Sequence, residues 1–259
     1  MTDVMKKQFL LLSGGLILIF LFAFQREKPV TIYIIGDSTA ANKDSSTFPE
    51  TGWGMAFAKL FNQQVKVDNR ALNGRSTKSF KRDVGKDGSF VNHWKPIFEH
   101  LRSGDYVFIQ FGHNDEKIDK PNVGTSLDEF EQNLIFYIDQ TREKGGVPIL
   151  LTPIARRKFE NGTLMNTHGQ YPAIVRKVAD HTHTAWIDME SKTTKLLTQY
   201  GEEGSRQLFL YVNSGDRNYP HGKKDDTHLN TFGADEVAKL VVDGIRELAL
   251  PIQKNLILK

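Results

Sequence analysis

From residue 30 onward, short runs of β-branched and aromatic residues alternate with longer stretches whose apolar residues recur every three or four positions. This alternation restricts the fold more than any other feature. It is the pattern of parallel strands joined by crossover helices, which pack as one sheet covered by helices. Five runs carry the strand character, at residues 30–35, 65–69, 106–111, 148–151 and 184–187. Each is short and nearly continuous in apolar character, as strands buried on both faces require.

Between and after these runs lie the helical stretches. Over residues 127–144, Leu127, Phe130, Leu134 and Ile138 fall on one face, Ser126 and Glu129 have the spacing of a capping box, and Gly145-Gly146 ends the segment. Residues 171–183 repeat the theme with Ile174, Val175, Val178 and Ala179. Residues 232–248 carry Val237, Leu240, Val241, Ile245 and Leu248, and Pro251 closes them. No repeat, low-complexity tract or linker divides the chain. The longest irregular stretch is residues 201–230, expected to be a loop, and long loops in compact domains usually carry function.

A chain of 259 residues that is 39% hydrophobic and 25% charged can bury one full core. Its formal net charge of +3 is too weak a bias for nucleic acid. There is no cysteine, so neither a disulfide frame nor a lipid-bearing cysteine is available, and a core of this size holds without them. Ahead of the domain, Lys6 and Lys7 precede an apolar stretch over residues 9–24, broken only by Ser13-Gly14-Gly15 and followed by polar residues. Residues 1–25 therefore read as a secretory signal peptide or an N-terminal membrane anchor, and the protein is expected to be exported. No small-x-small cleavage site follows Ala23, and the stretch is short for a full span of about 20 residues. The alternative, a buried N-terminal helix of the domain, is opposed by the all-round apolar character and the basic start of the segment.

In an open parallel sheet, ligands bind beyond the carboxyl ends of the strands. After the first run comes Gly36-Asp37-Ser38-Thr39, which presents a hydroxyl at the strand exit. After the second comes Asn69-Arg70-Ala71-Leu72-Asn73-Gly74, and after the third Gly112-His113-Asn114-Asp115. Just before the last helix, Asp225-Asp226-Thr227-His228 sets carboxylates beside an imidazole. A serine needs a base to take its proton, and that base needs a third group to fix its tautomer. Each piece alone has a plain structural alternative: Ser38 as a helix cap, Gly74 as a turn glycine, Asn114 as a turn former, His228 as a loop histidine bonded to backbone.

Together and in this order, the four pieces resemble the blocks of the GDSL/SGNH hydrolases, over about residues 30–250. Thr51-Gly52-Trp53-Gly54, Gly104-Asp105-Tyr106, Thr152-Pro153-Ile154-Ala155-Arg156-Arg157 and His168-Gly169-Gln170-Tyr171-Pro172 are similar to the rhamnogalacturonan acetylesterase branch. The resemblance implies a three-layer α/β/α flavodoxin-like domain with a five-stranded parallel sheet of order 2-1-3-4-5. It implies Ser38 as nucleophile, His228 as base and Asp225 as its orienting carboxylate. Ser38, Gly74 and Asn114 would form the oxyanion hole, and no cofactor or metal would be needed. The implied substrate is an acetylated plant cell-wall polysaccharide, pectic rhamnogalacturonan first, with acetylated xylan or small acyl esters as the alternative. Asp226 is adjacent to Asp225, so the residues alone leave two candidate carboxylates.

Two other readings fit some of these residues. His221, Asp225, Asp226 and His228 are ligand types for a divalent metal, although Lys223 and Lys224 between them oppose it. A carbohydrate-binding protein that kept the fold without the reaction is the other, but every position the reaction needs holds a usable residue. For substrate contacts, Arg156 follows the fourth run and could bind a uronate bidentately, and Trp53 could stack on a sugar ring, although packing at the start of a helix is the plainer job for an aromatic there. Arg75, Lys78, Lys81, Arg82, Arg157 and Lys158 could attract an acidic polymer; a solvated charged face is the plainer reading of most of them.

Overall fold

Five parallel strands form the central sheet of the computed structural model, which describes residues 29–257. They are β1 (Val30–Gly36), β2 (Val65–Asn69), β3 (Tyr106–Gln110), β4 (Val147–Leu151) and β5 (Trp186–Ile187), in the order β2-β1-β3-β4-β5. All four neighbouring pairs are parallel. This is the expected 2-1-3-4-5 order. Segment 1–25, read as a signal or anchor, lies outside the described residues; among those described, no helix is long and apolar enough to cross a membrane.

The helices are α1 (Trp53–Phe57), α2 (Thr77–Lys81), α3 (Lys95–His100), α4 (Leu127–Glu143), α5 (Tyr171–Thr182), α6 (Met189–Gly204) and α7 (Thr231–Glu247). Successive strand side chains point to opposite faces, so each strand feeds two cores. Ile32 and Ile34 of β1 join Phe108 and Ile149 against Trp53, Phe57 and the Val237, Val241, Ile245 stripe of α7. Tyr33 and Ile35 join Val107 and Ile109 against Phe80, Leu134, Ile138, Val175 and Val178. Burying one such aliphatic side chain contributes about 1.5–3 kcal/mol; burial on both faces, expected of all five runs, holds for the central strands β1, β3 and β4 and not for β2, which has a neighbour on one side only. The edge strand β2 is half-exposed beyond Val65.

Local signals act as the sequence implies, with one change. Ser126 Oγ accepts the Glu129 N–H at 3.1 Å, but the Glu129 carboxylate pairs with Lys78 at 2.9 Å, so half of the capping box is spent on α2. Gly145, at φ +70°, turns the chain after α4, and the Gly146 N–H returns to the Thr141 carbonyl.

Residues 201–230 are not a loop. Helix α6 reaches Gly204 across a kink at Gly201, and an antiparallel hairpin follows, β6 (Phe209–Ser214) and β7 (His221–Leu229). The hairpin escaped the sequence because β7 is polar along nearly its whole length. Its anchoring comes from backbone pairing and from Phe209, Leu210 and Leu229, which are buried. The hairpin delivers the last part of the site.

Candidate active site

Four chain segments meet beyond the carboxyl end of the sheet. The first is the exit of β1, where Gly36 runs so close to β3 that a Cβ would stand 2.6 Å from the Gln110 carbonyl oxygen. Asp37, fully buried, accepts the Thr39 N–H at 2.9 Å and the Thr39 hydroxyl at 2.8 Å. This turn stands Ser38 at the end of the strand. Burial raises the Asp37 carboxyl above its ordinary value, against the Thr39 hydrogen bonds.

The loops after β2 and β3 lie beside it. The Arg70 N–H donates to the Ile34 carbonyl at 2.8 Å and the Leu72 N–H to the Gly36 carbonyl at 3.0 Å, so the chain leading to Gly74 is stitched along the end of β1. Gly74 has φ +75°, in the left-handed region that glycine enters without strain. Gly112, at φ +144°, presses on Pro153, and a Cβ there would come within 2.9 Å of its ring. Two residues later Asn114 is buried and donates through Nδ2 to the Arg75 carbonyl at 3.0 Å, which ties the Asn114 loop to the Gly74 loop.

The hairpin supplies the rest. Asp225 is paired opposite Leu210 and Leu229 opposite Phe209, so Asp226, Thr227 and His228 bulge out between two paired positions. Inside this bulge Asp225 Oδ1 accepts the N–H groups of Thr227 at 2.8 Å and His228 at 2.9 Å, while Oδ2 meets His228 Nδ1 at 2.9 Å. On the other side of the ring, Nε2 lies 3.0 Å from Ser38 Oγ, across 190 residues of sequence. A carboxylate only accepts, so the Nδ1 proton is fixed and Nε2 offers a lone pair to the Ser38 hydroxyl. Burial by itself would raise the Asp225 carboxyl; the ring and backbone hydrogen bonds outweigh it and hold the group well below the usual carboxylate range.

The neighbouring carboxylate is turned away. Asp226 Oδ1 accepts from Arg157 Nη1 at 2.8 Å and from the Tyr211 hydroxyl at 2.6 Å. His221 is exposed at the far end of β7, so the four residues that resembled a ligand set do not converge. Among the described residues, no group of three or more such side chains is placed to hold a metal.

The basic and aromatic residues near the site are engaged within the fold. Trp53 is 0% exposed, and its Nε1 donates to Gln110 Oε1 at 2.7 Å; packing against Phe57 consumes the ring, so it offers no face to a sugar. Arg156 does follow β4 at the site's rim, but its guanidinium pairs with Glu116 and also donates to the carbonyls of His113 and Thr167, each at 3.3 Å. It links three loops. Arg157 is buried and braces the hairpin through Asp226, Tyr211 and Ser205. Of the residues after Gly74, Arg75 pairs with Asp83 at 2.5 Å, Lys78 caps the Gly124 carbonyl at 2.7 Å, and Lys81 and Arg82 lie over Phe136 and Phe90.

Sequence reasoning passed over Lys117, whose Nζ donates to Asn114 Oδ1 at 2.6 Å, and Asp115, fully buried with Oδ1 accepting from Thr77 N–H at 3.0 Å and the Thr77 hydroxyl at 2.5 Å. Burial raises the Asp115 carboxyl to about 7. Beside it, burial pushes the His113 imidazole well below its ordinary value. An acid directly after Asn114 is visible in a sequence only as part of an unremarkable turn; its burial is a tertiary fact.

A three-layer α/β/α domain with a hydroxyl, an imidazole and a carboxylate in one hydrogen-bonded chain at the sheet's carboxyl edge is the architecture of an ester hydrolase. The family model of the GDSL-like lipase/acylhydrolases matches residues 34–235. The chain belongs to that family and is a carboxylic ester hydrolase. It is 39% identical over 233 residues to a rhamnogalacturonan acetylesterase of Bacillus subtilis (strain 168), covering 89% of this chain and 96% of that one. It is 29% identical to a rhamnogalacturonan acetylesterase of Emericella nidulans, covering 80% and 81%. Among solved structures, one of a Bacillus subtilis protein superposes with a TM-score of 0.72 at 26% identity, over 88% of this chain and 59% of that chain. An acetylxylan esterase of Geobacillus stearothermophilus shares the fold with a TM-score of 0.59 at 17% identity, over 84% and 94%.

Proposed function

We propose that this protein removes acetyl groups from a plant cell-wall polysaccharide, with pectic rhamnogalacturonan as the substrate and Ser38 as the nucleophile. The observation that carries the reading is the relay Ser38 Oγ to His228 Nε2 at 3.0 Å and His228 Nδ1 to Asp225 Oδ2 at 2.9 Å. As Oγ attacks the acetyl carbonyl carbon, its proton passes to Nε2, and Asp225 stabilises the imidazolium. The carbonyl oxygen, now negative, is met by the N–H groups of Ser38 and Gly74 and by the Asn114 amide; such donors give on the order of 10²–10³ each in rate. Collapse breaks the bond to the sugar oxygen, and the imidazolium gives that oxygen its proton. Water, deprotonated by His228, then attacks acetyl-Ser38 and releases acetate and the free serine.

The polysaccharide follows from the two relatives named as rhamnogalacturonan acetylesterases, one matched over nearly its full length. The Lys6-Lys7 start and the apolar residues 9–24 support export to the periplasm or the extracellular space, where such a polymer is met. Acetate release is measured from acetylated rhamnogalacturonan, homogalacturonan and xylan, with Ser38→Ala in parallel. Release is expected from rhamnogalacturonan first, none from the variant, inactivation by a serine-directed organophosphate and indifference to chelator. Activity retained by Ser38→Ala overturns the mechanism, and a preference for xylan overturns the substrate.

A further inference from the structure

The Asn114 amide is held at both ends. A tight turn, with the Lys117 N–H on the Asn114 carbonyl at 3.1 Å, folds Lys117 back over Asn114 so that Nζ donates to Oδ1 at 2.6 Å. The opposite end donates to the Arg75 carbonyl at 3.0 Å. An ammonium has donors only and a backbone carbonyl accepts only, so the amide cannot flip without losing both bonds. One Nδ2–H is spent on Arg75, and the geometry leaves the second as the donor for a ligand.

We propose that Lys117 is a positioning residue for the oxyanion hole, fixing the Asn114 amide and, through a charge-assisted bond to Oδ1, strengthening its remaining N–H as a donor. The proposal rests on the reading that Ser38 attacks an ester and Asn114 receives the developing charge. Hydrogen bonds in series polarise one another, so drawing electron density toward Oδ1 makes the far N–H more acidic. Developing negative charge is the moment at which that matters, and the uncharged carbonyl of bound ester gains much less. Lys117 is half-buried beside Arg156 and Lys120, with Asp37 and Glu116 as the facing anions, and burial weakens its hold on the proton. Its charge therefore acts in a region only partly screened by water.

The variant Lys117→Met keeps the length of the stem and removes the charge. On p-nitrophenyl acetate kcat is expected to fall about 10-fold with KM within about two-fold of the parent. Lys117→Arg restores most of the rate. In an Asn114→Ala background, Lys117→Met costs less than about two-fold, because the lysine acts through the amide it no longer has. An unchanged kcat, a loss confined to KM, or an equal loss in both backgrounds overturns the proposal. Lys117→Gln, with melting followed by circular dichroism, replaces Lys117→Met if that variant is unfolded. Ser38→Ala is assayed alongside. Activity surviving in that variant defeats the underlying mechanism, whereas a dead Ser38→Ala with an unaffected Lys117→Met defeats only the role of the lysine.

Discussion

Replacing Asp225 by Asn tests the relay more sharply than removing any of its members. The substitution keeps size and shape, and the bulge dictates how the new amide sits. Oδ1 of Asp225 receives two backbone N–H groups, from Thr227 and His228, at 2.8 and 2.9 Å. Only the amide oxygen can replace it there, so the NH₂ group must occupy the place of Oδ2 and face His228 Nδ1, 2.9 Å away. A donor facing Nδ1 drives the ring proton to Nε2. The nitrogen that must accept the Ser38 proton, 3.0 Å from Oγ, then already carries one. The expected loss in kcat is on the order of 10³–10⁴, the cost of the wrong tautomer in a relay of this kind, equivalent to about 4–5.5 kcal/mol of barrier. Asp226→Asn, whose carboxylate serves Arg157 and Tyr211, is expected to change kcat by less than about ten-fold and to act through stability. Initial rates on p-nitrophenyl acetate at saturating substrate, with thermal melts of each variant, decide it. Asp225→Asn within ten-fold of the parent, or Asp226→Asn equally damaging, refutes the assignment of the orienting carboxylate.

Asp115, raised by burial to about 7 from an ordinary 3.8, keeps its proton in the fold over a pH range in which the unfolded chain has released it. Its contribution to stability therefore falls as pH rises from about 4 to 7 and is level above, by at most about 4 kcal/mol; melts of Asp115→Asn relative to the parent should improve from pH 4.5 to pH 8, and a pH-independent difference shows the carboxylate ionised throughout. Arg156→Ala strips its partner from Glu116, a carboxylate only 18% exposed, and is expected to cost about 1–3 kcal/mol, partly recovered in Glu116→Gln/Arg156→Ala. Weakened activity on polymer at an unchanged melting temperature would return Arg156 to substrate binding.

The sheet was legible because its signals are local. Residues such as Ile32, Ile34, Phe108 and Ile149 must be apolar wherever a strand is covered on both faces, and their order in the chain follows from the crossover helices. The end of β1 was legible for a similar reason: Gly36 is required by an approach of 2.6 Å that no Cβ survives. For Trp53 and Arg156, composition says what the side chain can do and not what already engages it in the fold. An indole suits a sugar face and a guanidinium suits a uronate, yet Gln110 and Glu116 hold them in the fold.

The hairpin is the harder case, and it shows where sequence periodicity loses its meaning. A strand announces itself by alternation only when one face is buried, and between His221 and His228 β7 buries neither. Its register is set instead by pairing with β6, whose Phe209 and Leu210 reach the core, and the mismatch between Leu210–Asp225 and Phe209–Leu229 ejects three residues. That ejection is the functional event. Along a regular strand, residues three apart point to opposite faces, and Asp225 could not meet His228. The bulge reverses the polarity of one step, bringing carboxylate and imidazole to the same side and aiming the ring at Ser38. The Asp-x-x-His spacing in the sequence is thus the footprint of a bulge, and Arg157, holding Asp226 from behind, keeps that bulge open toward the serine.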